Sequence, residues 1–308
     1  MIPIPAPARM ALSVDLEEYF QVEVMSGHIA RSAWGAMPSR VEAAVECLLA
    51  MLQRARARAT FFVVGWIAER FPGLVARLAA QGHEIGCHSH WHRPVFRLTA
   101  AEFRRDTRRA KAAIEAAAGG AIAGYRAPNF SLRGSGPQAM PWAFAVLAEA
   151  GFCYDSSVHP VWHPLYGAAG APRRPWRVGD SGLWELPLAT LACGRWRLPM
   201  AGGAYWRWAP LAYTQWGLRR VLEEGLRPIC YVHPWEIDGG QPRQNLAWSG
   251  RLRHYHGIAG MSGKIERLLG EFGSAPIAQL YAGELSAGEP GSGRRDGRGA
   301  ARAAERAA

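Results

Sequence analysis

The sequence predicts an α/β fold built on a parallel sheet, and three observations carry that expectation. Short β-branched apolar runs alternate with stretches of helical period along most of the 308 residues, the pattern of strands joined by crossover helices. About seven such units follow one another with no GxGxxG after the first strand, which favours a barrel over an open dinucleotide-type sheet. Asp15, His88, Arg126, Asp155 and His233 each stand immediately after a predicted strand. In a parallel barrel those positions share the C-terminal rim, where the active site lies.

Taken in order, residues 11–14 are the first strand, ending at the acidic group Asp15, Glu17 and Glu18. Ser39 with Glu42 three residues on has capping-box spacing, and Val41, Val45, Leu48 and Leu52 form the inner stripe of the helix it opens. Residues 60–64 are a second strand, closed by Gly65. Pro72 starts a short helix through Leu74, Val75 and Leu78 that Gly82 stops, and residues 83–87 are the third strand. Thr99 and Glu102 repeat the capping box for a helix to Ala118, ended by Gly119-Gly120. Residues 122–125 and 152–154 are the next strands, separated by a helix over 142–150. Past a Pro-, Gly- and Trp-rich middle, Leu186-Pro187-Leu188 is a weaker strand and Pro210 opens a helix to Glu224. Residues 228–232 are a strand delivering His233, and 262–272 are the last helix. From Gly283 onward the chain has no apolar period, which predicts a disordered tail.

The formal net charge is +11, yet the pattern is not that of a nucleic-acid binder. Lys111 and Lys264 are the only lysines and the arginines are dispersed. The densest group, Arg104-Arg105-Asp106-Thr107-Arg108-Arg109, reads as the wet face of a helix. Cys47, Cys87, Cys153, Cys193 and Cys230 form no CxxC, so buried free thiols in a reducing compartment are expected rather than disulfides. Residues 1–9 lack the basic and apolar regions of a signal peptide, and no apolar run reaches spanning length. The expectation is a cytoplasmic protein with no transmembrane segment and no nucleic-acid partner.

The chemistry concentrates at Gly82-His83-Glu84-Ile85-Gly86-Cys87-His88-Ser89-His90-Trp91-His92. His88 and His92 are four apart, so one helical turn would bring both imidazoles to one side, with His90 pointing elsewhere. Neutral imidazole is a common zinc ligand, although a surface cluster of histidines has the same look. Asp15 and Glu17 alternate by two, so at an extended strand end both carboxylates face the same way, one to ligate a metal and one to act as general base. Two histidines and one carboxylate leave room for water and substrate, the catalytic rather than the structural pattern. Arg126 is placed to pair with a rim carboxylate, and Asp155 to brace that arginine from the other side. His233 is a proton donor if it stands beside the metal and a structural residue if it does not. Trp176, Trp184, Trp206, Trp208 and Trp235 are candidates for the floor of a sugar groove, set against ordinary packing. Trp235 is favoured because it neighbours His233.

Five segments occur in order: Ser13-Val14-Asp15-Leu16-Glu17-Glu18-Tyr19-Phe20, His88-Ser89-His90-Trp91-His92, Arg126-Ala127-Pro128-Asn129-Phe130-Ser131, Tyr154-Asp155-Ser156-Ser157 and His233-Pro234-Trp235-Glu236-Ile237-Asp238. With them the chain resembles the polysaccharide deacetylase family, the NodB-homology carbohydrate esterases. Gly202-Gly203-Ala204-Tyr205-Trp206 and Arg253-His254-Tyr255-His256-Gly257 resemble the branch associated with exosortase/PEP-CTERM exopolysaccharide loci.

The resemblance implies a distorted (β/α)7 barrel with a family-specific C-terminal extension. It implies metal-dependent hydrolysis of N-acetyl groups on amino sugars of an exopolysaccharide or its precursor. Asp15 would be the general base, His233 the general acid and Arg126 the residue orienting Asp15. His88 and His92 would ligate the metal. Asn129, Phe130 and Trp235 would meet the substrate, with the backbone N–H near Asn129 helping to hold the oxyanion. The family motif has two adjacent aspartates, the second a ligand. Leu16 stands in that place here, so the third ligand is Glu17, on the face of Asp15, or Glu18. Zn2+ is the expected ion, with Co2+ or another divalent metal as alternatives. Exopolysaccharide assembly machinery is an expected partner beside the N-acetylated substrate. The expected organisation is a deacetylase domain over 1–282, its family-specific part about 155–282, and the tail 283–308. Two other readings use the same residues: a metal amidohydrolase on a non-sugar C–N bond, and a non-catalytic glycan-binding or assembly protein on a decayed barrel.

Overall fold

The computed structural model describes residues 8–132, 140–163 and 166–286. Its first half runs β1 (Ala11–Leu16), α1 (Val41–Arg54), β2 (Thr60–Val63), α2 (Gly65–Arg70), α3 (Pro72–Ala80), β3 (Glu84–Cys87), α4 (Ala100–Ala118), β4 (Gly124–Tyr125), α5 (Pro141–Glu149) and β5 (Tyr154–Asp155). Its second half runs β6 (Trp176–Arg177), β7 (Trp184–Glu185), β8 (Thr190–Cys193), β9 (Trp196–Pro199), α6 (Ala204–Trp208), α7 (Leu211–Glu223), β10 (Ile229–Val232), α8 (Trp248–Tyr255), α9 (Ile258–Phe272), α10 (Ile277–Leu280) and α11 (Ala282–Ser286). Eight strands make one sheet in the order β10-β1-β2-β3-β4-β5-β7-β6, and β8 with β9 forms a separate hairpin. Neighbours from β10 through β7 are parallel, and β6 runs antiparallel to β7. The predicted parallel barrel is present in distorted form.

Register decides where the chemistry lies. Leu16 is level with Val63, Val63 with Cys87, Cys87 with Tyr125, and Tyr125 with Asp155. The residues one step beyond that line, Glu17, His88 and Arg126 among them, therefore emerge at one rim. On the other side of β1, Val14 is level with Val232, which brings His233 level with Asp15.

Closure is irregular. Along the outer edge of β10, Ala189 N–H donates to Ile229 O (3.0 Å), Tyr231 N–H to Ala201 O (2.7 Å) and Gly203 N–H to Tyr231 O (3.1 Å). No strand forms over Leu186-Pro187-Leu188, contrary to expectation. Pro187 has no N–H to give a ladder, so Leu186 and Leu188 make only single bonds, to Asp155 O and Val158 O. At Gly202 the backbone passes so close to β10 that a Cβ would stand 1.9 Å from Tyr231 O, and its φ is +138°. Glycine is required there on both counts.

The helices depart from expectation in instructive ways. α4 carries the Thr99–Glu102 capping box and ends on left-handed Gly119, as its sequence predicts. Its basic run is a solvated, paired face, with Arg104 on Glu149 and Arg109 on Glu69. α1 is different: Arg40 is its N-cap residue, and no Ser39–Glu42 box forms. The Glu18 carboxylate instead accepts from the N–H groups of Arg40 (3.1 Å) and Val41 (3.3 Å) and from Ser39 Oγ, an anion answering the free donors of a helix start. The last predicted helix begins at Ile258, not Ser262, because left-handed Gly257 restarts the chain there. All five cysteines are free, but only Cys87 and Cys230 are buried; Cys47, Cys153 and Cys193 are exposed. Of the predicted disordered tail, residues 283–286 lie in α11 and residues 287–308 fall outside the described residues.

The main core lies between sheet and helices, and a second cluster at the rim packs Tyr19, Phe20, Trp34, Trp235 and Leu246. That rim cluster anchors the loop bearing Glu17 and Glu18. No helix among the described residues is long and apolar enough to cross a membrane.

The seam supplies a test. Gly202→Ala places a Cβ against an immobile backbone carbonyl and strains φ, so it should lower unfolding free energy by about 3 kcal/mol or more. Urea denaturation measures this, and a loss of only a few tenths would show that the seam yields.

Candidate active site

Asp15 is the fifth residue of β1, and Glu17 follows the strand end. Glu17 N–H donates to Asp15 O (3.0 Å), a tight turn that keeps both buried carboxylates lining one cleft. His88 and His92 reach the same cleft, but not by a helical turn. The segment between them is irregular, with Ser89 at φ +59° and His92 at φ +48°, and Ser89 Oγ accepts from His92 N–H (3.0 Å). This turn brings the two imidazole centroids to 5.1 Å. His90 turns away, towards Glu69. Asn129 and Phe130 also have positive φ. Such strain, of order 1–3 kcal/mol per residue, persists where surroundings enforce it and concentrates at functional sites.

One atom each from Glu17, His88 and His92 lie within 4.8 Å of one another, all three residues buried. His88 Nδ1 is 2.8 Å from Arg126 O; a carbonyl only accepts, so Nδ1 carries the proton and Nε2 is free to ligate. Glu17 Oε2 lies 2.6 Å from His92 Nε2 yet has no well-aligned donor, while Oε1 accepts from Trp235 Nε1–H (3.0 Å). Burial alone would raise the Glu17 carboxyl, but the charges of His92 and His233 and the close approach of His92 Nε2 hold it at about 2. Burial, with His92 beside it, pushes His88 well below the usual imidazole value. An ionised carboxylate and a neutral imidazole are the forms that bind a divalent ion, and this N/O donor set fits zinc or a similar metal. Glu18 is not part of the group, because it caps α1.

Arg126 is fully buried. It donates to Asp15 Oδ1 (2.9 Å), Ser156 O (2.9 Å), Ser156 Oγ (3.0 Å) and Ser13 Oγ. Asp15 Oδ2 lies 3.9 Å from His233 Nε2, which is 3.5 Å from Glu17 Oε1. His233 thus stands beside the predicted ligand group rather than alone.

Its orienting partner escaped the sequence reading. Glu236 Oε2 sits 2.9 Å from His233 Nδ1 and also accepts from His233 N–H (3.0 Å), and Glu236 Oε1 accepts from Arg207 Nε–H (2.7 Å). Arg207 is itself buried and donates to the carbonyls of Arg253, His254 and His256. Burial opposes the charged form of His233, yet Glu236 foremost, then Glu17 and Asp15, raise it to about 9. A divalent ion beside Glu17 would pull that value down. The three-residue spacing of His233 and Glu236 was a readable signal; nothing in the sequence pointed to Arg207.

Asp155 lies elsewhere. No hydrogen bond or ion pair among the described residues joins it to Arg126. It accepts from Ser157 Oγ (2.6 Å) and Ser157 N–H (3.2 Å), and Ser157 Oγ in turn accepts from Ala127 N–H (2.7 Å). Asp155 therefore supports the backbone beside Arg126 without hydrogen-bonding its guanidinium, whose charge still acts on it. It also meets Glu185, and burial with mutual repulsion raises Glu185 well above the usual carboxyl value. Asn129 and Phe130 line the cleft as expected. Trp235 lines it too, with His233 and His254 stacked on its ring and its N–H on Glu17. Trp206 is buried in the core, and Trp176, Trp184 and Trp208 are not among the residues lining the cleft.

A barrel with a metal-type cluster at its strand ends defines a class, and sequence comparison narrows it. Residues 35–135 match the family model described as Polysaccharide deacetylase, and residues 156–282 match one described as Domain of unknown function (DUF3473). About a third of the chain, residues 35–135, thus carries a polysaccharide deacetylase domain. A peptidoglycan-N-acetylglucosamine deacetylase of Bacillus cereus is 34% identical over 83 residues, 27% of this chain and 28% of that protein. The chain thus matches just over a quarter of the length of this curated relative. A candidate polysaccharide deacetylase from Mycobacterium smegmatis shares the fold at TM-score 0.54 and 23% identity, over 92% of this chain and 93% of that one. A family 4 carbohydrate esterase from Streptomyces lividans, solved with acetate, aligns over 91% of each chain at 17% identity and TM-score 0.46.

Two measurements check this geometry. Glu17→Ala should lose bound Zn2+ on dialysis, whereas Glu18→Ala should keep it and lose about 1–2 kcal/mol of stability from the uncapped helix; the reverse pattern would reassign the ligand. The raised Glu185 carboxyl contributes stability that is complete below its unfolded value of about 4.3 and is lost as pH rises towards the folded value. Glu185→Gln should remove that slope, gaining about 1 kcal/mol or more over the parent at pH 8 relative to pH 5. Parallel stability–pH curves would show that the Glu185 carboxyl is not raised in the folded protein.

Proposed function

We propose that this protein is a metal-dependent N-deacetylase acting on amino sugars of an exopolysaccharide or its precursor. The observation that carries the reading is the meeting of Asp15 and His233 beside the Glu17, His88 and His92 group in one cleft of a polysaccharide deacetylase domain. The deacetylase activity named for the Bacillus cereus relative supports it. The exopolysaccharide setting is supported by the segments around Gly202 and Arg253 that resemble the exosortase-associated branch.

A Zn2+ or similar ion held by Glu17, His88 and His92 would polarise an acetamide carbonyl and acidify water. The chain's own residues supply the proton chemistry. Arg126 fixes Asp15 by Oδ1, leaving Oδ2 towards the cleft to accept the proton of an attacking water. Attack at the carbonyl carbon gives an oxyanion. In the nearby turn the N–H groups of Phe130 and Ser131 are committed to Ala127 and Pro128, so the Asn129 amide is the one assigned to that oxygen. His233, held by Glu236 through Nδ1, presents Nε2 to the nitrogen leaving group. Its proton passes to the amine as the C–N bond breaks, and acetate and the free amino sugar result.

Acetate release from short N-acetylglucosamine oligomers, with and without a chelator and added Zn2+ or Co2+, tests the reaction. Chelation should abolish it and metal restore it. His233→Ala should lower kcat by about 100-fold or more at unchanged metal content, whereas His88→Ala should lose both activity and metal. Full turnover in His233→Ala would remove the acid assignment. Activity on small non-sugar amides but not on the oligomers would favour the amidohydrolase reading.

A further inference from the structure

The cleft has a mouth for which the proposed chemistry has no use. A side pocket there is lined by Glu23, Phe96, Arg97, Asn129, Tyr166 and Arg253. Glu23, Asn129, Tyr166 and Arg253 also line the catalytic cleft, so the two spaces share a wall. Most of this lining suits a neutral sugar: Phe96 is 44% exposed, Tyr166 adds a second ring, and Asn129 offers an amide. Two of the charges cancel, since Arg97 pairs with Glu23 at 2.7 Å and Asn129 Nδ2 approaches the same carboxylate at 3.4 Å.

Arg253 is the exception. Its carbonyl is fixed by Arg207 Nη2–H (3.1 Å), so its backbone is tied to the same arginine that holds Glu236. Its side chain is exposed and lines both spaces, its charge acts on Tyr166 of the shared wall, and no carboxylate among the described residues pairs with it. Sugar hydroxyls and acetamides replace water at a guanidinium with little gain. Paired anionic oxygens fit its fork and gain charge as well.

We propose that Arg253 recognises an anionic group on the saccharide, a carboxylate or phosphate close to the acetamido sugar, so that the substrate is an acidic glycan or a phosphorylated precursor. This inference rests on the deacetylase reading and specifies its substrate class. It also gives the basic chain, at +11, a local use for one of its charges: drawing in an anionic ligand at the cleft mouth.

Three probes decide it: neutral tri-N-acetylchitotriose, a hyaluronan tetrasaccharide carrying carboxylates, and UDP-N-acetylglucosamine carrying a diphosphate. Equilibrium binding to the metal-free protein and acetate release by the Zn2+-loaded protein are measured for each. At low salt at least one anionic probe should exceed the neutral one by about tenfold in Kd or kcat/KM, and added salt should shrink the margin. The anion–neutral ratio should collapse in Arg253→Gln and partly recover in Arg253→Lys, with metal content and melting temperature showing that both variants are folded. The winning anionic probe distinguishes a carboxylate from a phosphate ligand. Equal treatment of all three probes by the parent protein, or an undiminished ratio in Arg253→Gln, overturns the proposal. Acetate from none of the probes would instead count against the deacetylase reading, and the binding ratios would still decide the role of Arg253.

Discussion

The site depends first on Arg126, a fully buried cation at the end of β4. Leaving such a charge without partners costs about 3–5 kcal/mol, so the surroundings must satisfy it. They do so with Asp15 and Ser13 on β1 and with Ser156 after β5, while Phe62 lies 4.2 Å beneath the guanidinium. Its carbonyl takes the Nδ1 proton of His88. One residue thereby fixes the rotamer of Asp15 and the tautomer of His88. The strands on either side of β4 cannot slide without breaking it, which makes register and chemistry the same constraint.

Much of this was legible because it is local or periodic. The alternation of apolar runs placed the strands, and polar residues just past them marked the rim. The capping box of α4 was readable in Thr99 and Glu102. What failed was local reasoning overridden by distant partners. Ser39 has the right spacing to cap α1, yet Glu18, arriving from the loop after β1, supplies a full negative charge. His88 and His92 have helical spacing, but the metal-type geometry comes from a turn with two left-handed residues. Asp155 ends β5 where Arg126 follows β4, and its carboxyl is claimed by Ser157 and Glu185. Such choices turn on burial and on contacts between segments far apart in sequence, which a linear pattern does not record.

The second half of the chain is not an accessory to a finished barrel. Arg207 on α6 holds Glu236, which holds His233, and the same arginine gathers the carbonyls at the C-terminal end of α8. Trp235 reaches from this half to Glu17 on the first strand's loop. The part described only as a domain of unknown function thus contains His233 and the residues that aim it. Its structural role is to complete the rim that β1 to β5 leave open.

The stretch matching the deacetylase family, residues 35–135, contains His88, His92 and Arg126 but neither Asp15 and Glu17, which precede it, nor His233, which follows. The working parts are therefore dealt across three successive pieces of polypeptide, and only β10 lying against β1 reunites the first with the last. Excising the best-matched piece would yield imidazoles without their acid and an arginine without its carboxylate. A piece that carries all of these groups together must therefore run at least from β1 through Glu236.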